Sequence, residues 1–134
     1  MTIKDKYDRV KKNHKDEVVL IRVGIFYVTF SIDAMVLNYI FSYQINEGKL
    51  GFPRASLDKV CSSLRERSIS FYIFEEEGKN YYSRDNLYSA MSVIAEKNYN
   101  IKCRNEELLN KVKSSIEKNP DNYDKIKEFI DGIK

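Results

Sequence analysis

The amino-acid sequence predicts an α/β fold, a mixed β-sheet flanked by helices, with additional helices at the C terminus. Two observations carry this prediction. β-Branched and aromatic residues are concentrated in segments 17–30 and 69–74, as in buried strands. Elsewhere apolar residues recur every three or four positions, which is the period of an amphipathic helix. Strands interleaved with helices are typical of a layered α/β architecture.

The first predicted strands lie in the segment EVVLIRVGIFYVTF, from Glu17 to Phe30. Gly24 interrupts this segment, so it forms either two short strands or one bent strand. A helix is predicted directly afterwards, because Ser31 supplies an N-cap and Asp33 a first-turn acid. The apolar stripe of this helix consists of Ile32, Met35, Val36, Tyr39 and Ile40.

The middle of the chain predicts a second helix and the strand that follows it. Residues 43–53 contain two glycines and end on Pro53, which indicates a strand or a loop. Ser56 is the predicted cap of a helix that ends near Arg67. Segment 69–74, ISFYIF, is apolar on both faces and predicts a central strand. Residues 75–80 read as a turn, after which 81–83 are expected to form a short edge strand.

From Asp85 onward the sequence predicts helices only. Three apolar faces recur with helical spacing in this part of the chain. The last two are separated at Asn119, Pro120 and Asp121, where proline forbids continuation and Asp121 is placed as a cap. The three faces are Leu87, Met91, Ile94 and Ala95; Leu108, Leu109, Val112 and Ile116; and Tyr123, Ile126, Phe129, Ile130 and Ile133.

Length and composition limit the class of protein. A chain of 134 residues predicts a single domain, 1–134, with an α/β core over 1–83 and a helical part over 84–134. The longest apolar stretch, 18–30, is too short to span a membrane, and no secretory signal precedes it, so we expect a cytoplasmic protein. Two cysteines and one histidine provide neither a disulfide framework nor a zinc site, and we expect no cofactor.

The sequence favours a non-enzymatic protein. A phosphate-binding loop of the G-x-x-x-x-G-K-[ST] type does not occur, and His14, the only imidazole, lies in a charged segment where we expect it to be solvated. One catalytic alternative stays open, in which Asp33 and Glu75 share a metal ion in a nuclease. The structural interpretation is favoured: Asp33 complements a helix dipole, and Glu75 begins a solvated acidic triplet.

The first fifteen residues carry a surplus of positive charge, with six lysines and arginines against two aspartates. Lys11 and Lys12 are the central pair of this basic arm. Such a charge pattern fits contact with DNA phosphates, and it equally fits the solvated face of an ordinary helix.

Several motifs follow one another in a recognisable order between Tyr7 and Glu76. They read VVLIRVGIFYVTFSIDA, then GFPRASLDKV, then ISFYIFEE. This order resembles the N-terminal mismatch-recognition domain (domain I) of the MutS DNA mismatch repair family. There a strand like LFRMG runs into G-D-F-Y-E, followed by an E-D-A helix start, a G-V-P motif and a V-A-I-C-E-Q strand. The resemblance covers about half the chain. It implies a MutS domain I-like fold, in a divergent, stand-alone form without an ATPase.

The resemblance also implies a DNA-binding site. Phe26 matches the phenylalanine that wedges into the duplex in this family, whereas Val28 stands where the family has the glutamate that hydrogen-bonds the mispaired base. Ile25 replaces the family's aspartate. The implied partner is double-stranded DNA, matched or mismatched, with Arg22 and Arg54 as further phosphate contacts beside Lys11 and Lys12.

Alternatives remain at this site. Phe26 shares a strand face with Val28 and could belong to the core. Arg22 and Arg54 could be ordinary surface ion-pair partners. The chain could also be a protein-interaction module that retains the fold but exchanges DNA for a protein partner, through an exposed patch. The predicted members of that patch are Ile25, Val28, Tyr81, Tyr82 and Tyr88.

Overall fold

The computed structural model describes residues 2–75, the backbone of 81–82, and residues 86–133. The chain divides into two compact units, Met1–Tyr99 and Asn100–Lys134. Along the described chain the elements are α1 (Ile3–Asn13), β1 (Val18–Val23), β2 (Phe26–Phe30), α2 (Ser31–Phe41), β3 (Lys49–Pro53), α3 (Leu57–Glu66), β4 (Phe71–Phe74), β5 (Tyr81–Tyr82), α4 (Tyr88–Lys118) and α5 (Asn122–Asp131).

The strands form one mixed sheet in the order β3-β2-β1-β4-β5. β1 runs parallel to β4, and the other neighbouring strands are antiparallel. The predicted α/β class is therefore confirmed. β4 lies inside the sheet and β5 at its edge, as the sequence predicted, and the undecided segment 43–53 ends in β3.

β1 and β2 form a hairpin around Gly24, so the first of the two predicted alternatives for this segment is correct. Gly24 has φ +61°, a left-handed conformation that glycine adopts without steric cost. Arg22 lies opposite Tyr27, and Val23 lies opposite Phe26. Since directly opposed residues share a face of the sheet, Arg22 and Tyr27 project to one side and Phe26 to the other.

Both faces of the sheet are covered by apolar packing in the first unit. The larger cluster includes Tyr27, Phe52 and Leu64, and α2, α3 and the start of α4 contribute to it. The smaller cluster lies beneath α1 and comprises Tyr7, Val19, Ile21, Val28 and Phe30. Coverage on both sides explains why the strand segments are apolar at consecutive positions instead of alternating.

The predicted helix caps were wrong at two serines. Ser31 has φ 54° and is the first residue of α2, while Phe30 holds the cap position without a side-chain hydrogen bond. Ser56 has helical φ and ψ, because a short 3₁₀ turn at 54–56 leads directly into α3, and its hydroxyl makes no capping bond. Asp121 occupies the N-cap of α5, also without a capping bond. A capping box does occur at Thr2, at the start of α1.

The helical part contains one long helix and one short one. α4 is continuous over Tyr88–Lys118, where the sequence indicated two separate apolar faces, and the break at Pro120 is confirmed. Within residues 100–133 no side chain is buried. Of the helices in the described part of the chain, none is long and apolar enough to cross a membrane.

Candidate nucleic-acid interface

The β1–β2 turn presents two apolar side chains to solvent. Ile25 is 70% exposed and Phe26 is 46% exposed. Phe26 is the first residue of β2, and its two strand neighbours, Val23 and Pro53, are also terminal residues of their strands. The backbone N–H of Arg54 donates to the Ile25 carbonyl at 2.7 Å, which ties this turn to the end of β3. The alternative that Phe26 belongs to the core is therefore wrong.

Arg22 and Arg54 lie beside this turn and line the same cavity, which has a volume of about 500 Å³. The Nε of Arg22 donates to the Gly24 carbonyl at 3.3 Å, within the turn itself. α3 supplies the outer wall of the cavity, with Arg65 among its lining residues. Because Arg22 projects to the Tyr27 side of the sheet, the cavity and the Phe26 side chain belong to opposite faces of the same hairpin.

Glu75 lies at the inner side of this cavity and is only 8% exposed. The hydroxyl of Tyr27 donates to its carboxylate. Burial, followed by the hydrogen bond to Glu75 and its charge, raises the pKa of Tyr27 to about 12. The sequence had placed Glu75 at a solvated strand end, and that prediction was wrong. The rest of the acidic triplet, 76–77, lies outside the described residues.

Asp33 lies elsewhere, in the first turn of α2 as the sequence predicted, and it is fully buried. Its Oδ1 accepts from Lys11 Nζ at 3.0 Å and from the Tyr88 hydroxyl at 2.6 Å. Its Oδ2 accepts from the Tyr7 hydroxyl at 2.6 Å and from the Val19 N–H at 3.1 Å. Burial, followed by the Asp33 charge, raises the pKa values of Tyr7 and Tyr88 far above the ordinary tyrosine value. This cluster ties α1, β1, α2 and α4 together.

Lys11 is held within this cluster. Its ammonium group donates to the Glu17 carbonyl at 2.5 Å, to Asp33 Oδ1 at 3.0 Å and to the Tyr88 hydroxyl at 3.0 Å. An ammonium group has three N–H donors, so none remains for a phosphate. Lys12 is exposed on the same helix. Both lysines lie at the Glu17 end of β1, on the order of 20 Å along the strand from Gly24.

His14, the single histidine of the sequence, packs against the sheet. His14 stacks on Tyr72 with ring centroids 3.7 Å apart, and its Nδ1 lies 2.9 Å from Glu17 Oε1. Its side chain is only 24% exposed. The prediction of a solvated imidazole was therefore wrong, because the ring is covered by β4.

The nuclease alternative is excluded by geometry. Asp33 bonds to the sheet at Val19, whereas Glu75 follows Phe74, which pairs with Ile21. The two carboxylates are thus separated by three strand positions, about 10 Å, and cannot share a metal ion. In the described part of the chain no group of three or more His, Cys, Asp or Glu side chains could hold a metal.

The predicted protein-binding patch is not assembled either. Val28 and Tyr88 are buried, and of the described members only Ile25 is exposed. The side chains of Tyr81 and Tyr82 lie outside the described residues. Burial of Tyr88 follows from its hydrogen bond to Asp33, a contact across 55 positions in the sequence.

Sequence reasoning missed the cavity itself. One signal for it was present on α3, where Asp58, Ser62 and Arg65 recur at helical spacing beside the apolar stripe. All three line the cavity. A polar stripe of this kind normally marks the solvent-exposed face of a helix, so the sequence alone does not single these residues out as a cavity wall.

The fold and this surface define a class of module, a small mixed α/β domain that presents an apolar hairpin turn beside two arginines. The family model for MutS domain I matches residues 2–84, more than half of the chain. The chain therefore belongs to the MutS domain I family, and the resemblance seen in the sequence is confirmed. The match includes α1 and ends before α4. Domain I of MutS is a DNA-binding, non-catalytic domain. No match was found among curated proteins.

Proposed function

We propose that this chain is a non-enzymatic DNA-binding module that inserts Phe26 into a duplex, preferentially at a mispaired step. The observation that carries the proposal is the exposure of Phe26 at the hairpin turn of a MutS domain I fold. An apolar side chain held at the tip of a rigid hairpin can separate two stacked bases at a cost of a few kcal/mol. A mispair lowers that cost, because its step is already easier to deform.

The readout differs from that of the family. Val28, which stands in place of the family's glutamate, is buried in the cluster beneath α1. A buried valine offers no hydrogen bond to a base edge. We therefore infer that any mismatch preference arises from the deformability of the DNA and from the wedge.

Among the described residues, few positively charged side chains lie near Phe26. Arg22 and Arg54 flank the hairpin turn, and Lys12 is the further exposed candidate, distant from the turn. With so few phosphate contacts the affinity should lie near the nonspecific range of about 10⁻⁴ to 10⁻⁶ M. If the protein neutralises two phosphates, raising the salt concentration from 50 to 200 mM should weaken binding about tenfold.

Fluorescence anisotropy tests the proposal with labelled homoduplex, mismatched duplex and single-stranded DNA at two salt concentrations. We expect Phe26→Ala to weaken binding to the mismatched duplex about tenfold, since stacking on an aromatic ring contributes about 1–3 kcal/mol. Phe129→Ala is the matched control, because Phe129 is 72% exposed and lies outside the matched region. Equal binding by wild type and Phe26→Ala, or an affinity that salt does not change, would contradict the proposal.

A second candidate function is favoured by the C-terminal helices. Residues 100–133 bury no side chain, and six large hydrophobic groups there are more than half exposed. They are Leu108, Leu109, Tyr123, Phe129, Ile130 and Ile133. Exposed apolar groups of this number are typical of surfaces that bind another protein. Absence of DNA binding at low salt by a correctly folded chain would favour this protein-interaction function.

A further inference from the structure

The cavity beside the hairpin contains more binding chemistry than a DNA wedge requires. It combines three guanidinium groups, from Arg22, Arg54 and Arg65, with a carboxylate from Glu75 and a hydroxyl from Tyr27. Its volume of about 500 Å³ lies within the range of small-molecule sites. Leu57 and Ile73 add apolar wall. The lining thus offers positive charge, a hydrogen-bond acceptor and apolar surface in one partly open cavity.

Glu75 is the most informative group in the cavity. Only Tyr27 among the described residues hydrogen-bonds to it, at Oε1, although a carboxylate has about four acceptor positions. Its Oε2 is not among the buried side-chain atoms that lack a partner, and no described residue donates to it. Since Glu75 lines the cavity, this oxygen is open to a ligand that carries N–H donors.

The guanidinium groups are also available. Neither Arg22 nor Arg54 forms an ion pair with any described carboxylate, even though Asp58 and Glu75 line the same cavity. Arg65 packs over the Phe71 ring at 5.5 Å. Arg22 and Arg54 lie at the hairpin end of the cavity, where a phosphate could be held between them.

We propose that this cavity binds one nucleotide unit, with the phosphate between Arg22 and Arg54 and an amino group of the base donating to Glu75. Enzymes that read an unstacked base do so through hydrogen bonds to its Watson–Crick edge inside a closed pocket. The nucleotide is either free in solution or unstacked from DNA at the hairpin, and the second source rests on the proposed function. Val28 lies on the α1 face of the sheet and has no carboxylate. Glu75, on the other face, would then supply the carboxylate contact to the base.

The test is a nuclear magnetic resonance titration of the full chain with dCMP, dUMP and inorganic phosphate, each up to about 10 mM. dCMP has an amino group at C4 where dUMP has a carbonyl, and dUMP keeps an N–H donor at N3, so a preference for dCMP reports on the C4 amino group in particular. We expect dCMP to shift the amide signals of Leu57, Ser62 and Ile73, and to bind about tenfold more tightly than dUMP or phosphate.

Two variants and their controls separate the two parts of the site. Glu75→Gln keeps an acceptor for Tyr27 and should remove the preference for dCMP over dUMP, whereas Glu66→Gln, on the exposed end of α3, should preserve it. Arg54→Ala should weaken both nucleotides and phosphate severalfold, whereas Lys59→Ala, which removes an exposed charge from the same helix region, should not.

The outcomes distinguish this proposal from the proposed function. Nucleotide shifts that persist in Phe26→Ala, without any binding to duplex DNA, would support the cavity and overturn the wedge. Duplex binding that depends on Phe26, without any shift from dCMP, would overturn the cavity alone. Equal binding of dCMP, dUMP and inorganic phosphate would also overturn it, since the site would then recognise only an anion. A duplex with an extrahelical cytosine that shifts the same amides identifies DNA as the source.

Discussion

Among the described residues two carboxylates are buried, and they lie at different ends of the sheet in different surroundings. Asp33 accepts four hydrogen bonds, two at each oxygen, from a lysine, two tyrosines and a backbone N–H. Glu75 accepts one from the described residues, from Tyr27, and it lines a cavity. Both belong to the same compact unit and both are buried, Asp33 at 0% exposure and Glu75 at 8%, so the main difference lies in their local partners.

This difference distinguishes a carboxylate that stabilises the fold from one that is free to bind a ligand. A carboxylate with every acceptor position occupied has nothing to offer a ligand, and removing it leaves its donors buried without partners. A carboxylate with a free oxygen in a cavity contributes less to the fold and can bind a ligand. The comparison also assigns Lys11 to the structural cluster and leaves Arg22 and Arg54 with the candidate interface.

The largest effect is expected at Asp33. Asp33→Asn removes the charge that pairs with Lys11 and replaces an acceptor oxygen by a donor, which leaves Lys11 and one tyrosine hydroxyl poorly satisfied. Breaking a buried ion pair costs about 3–5 kcal/mol of unfolding free energy. Urea denaturation followed by circular dichroism measures the loss. The control is Asp58→Asn, an exposed first-turn acid for which we expect less than about 1 kcal/mol. A similarly small loss for Asp33→Asn would contradict the structural assignment.

The second prediction concerns alkaline pH. Burial and the neighbouring carboxylates raise the pKa values of Tyr7, Tyr27 and Tyr88, so the folded chain retains protons that the unfolded chain releases near the ordinary tyrosine pKa of about 10. Stability from these groups is complete below pH 10 and is lost as the pH rises further. The expected loss is about 1.4 kcal/mol per pH unit for each tyrosine that remains protonated in the folded state.

Urea midpoints between pH 9 and pH 11 measure this dependence. The buried thiol of Cys61, whose pKa burial raises to about 11, contributes to the same slope, so Tyr7→Phe removes one of four groups and should reduce the slope by about a quarter. Tyr39→Phe, at a 43% exposed position, should leave it unchanged. A flat profile up to pH 11 in the wild type would mean that these hydroxyls are not buried as the structure shows.

The strand framework could be predicted from sequence because its signals are local. Gly24 separates two β-branched segments, and the hairpin forms there because glycine accepts the left-handed turn conformation. Pro120 similarly marks a helix end from the chemistry of one residue. The resemblance to MutS domain I added Phe26, whose exposure neither strand alternation nor composition could decide.

The carboxylate clusters could not be predicted in the same way. Asp33 meets Lys11 and Tyr88 across 22 and 55 sequence positions, and no local pattern encodes which donors will converge on it. At the level of sequence, Asp33 fits a helix N-terminus and Glu75 fits a run of solvated acids. Asp33 does lie in the first turn of α2, but tertiary packing buries both carboxylates, and the hydroxyls of Tyr7, Tyr27 and Tyr88 reach them from other elements.

The smallest stability effect is expected at Glu75, and it sharpens the contrast with Asp33. In Glu75→Gln the amide oxygen still accepts from the Tyr27 hydroxyl, and loss of the charge brings the pKa of Tyr27 closer to its ordinary value. Because no other described residue hydrogen-bonds to Glu75, we expect the unfolding free energy to change by less than about 1 kcal/mol at pH 7. The same urea titration measures it beside Asp33→Asn. A loss as large as that of Asp33→Asn would mean that Glu75 is a structural acid too, and the cavity would lose its acceptor.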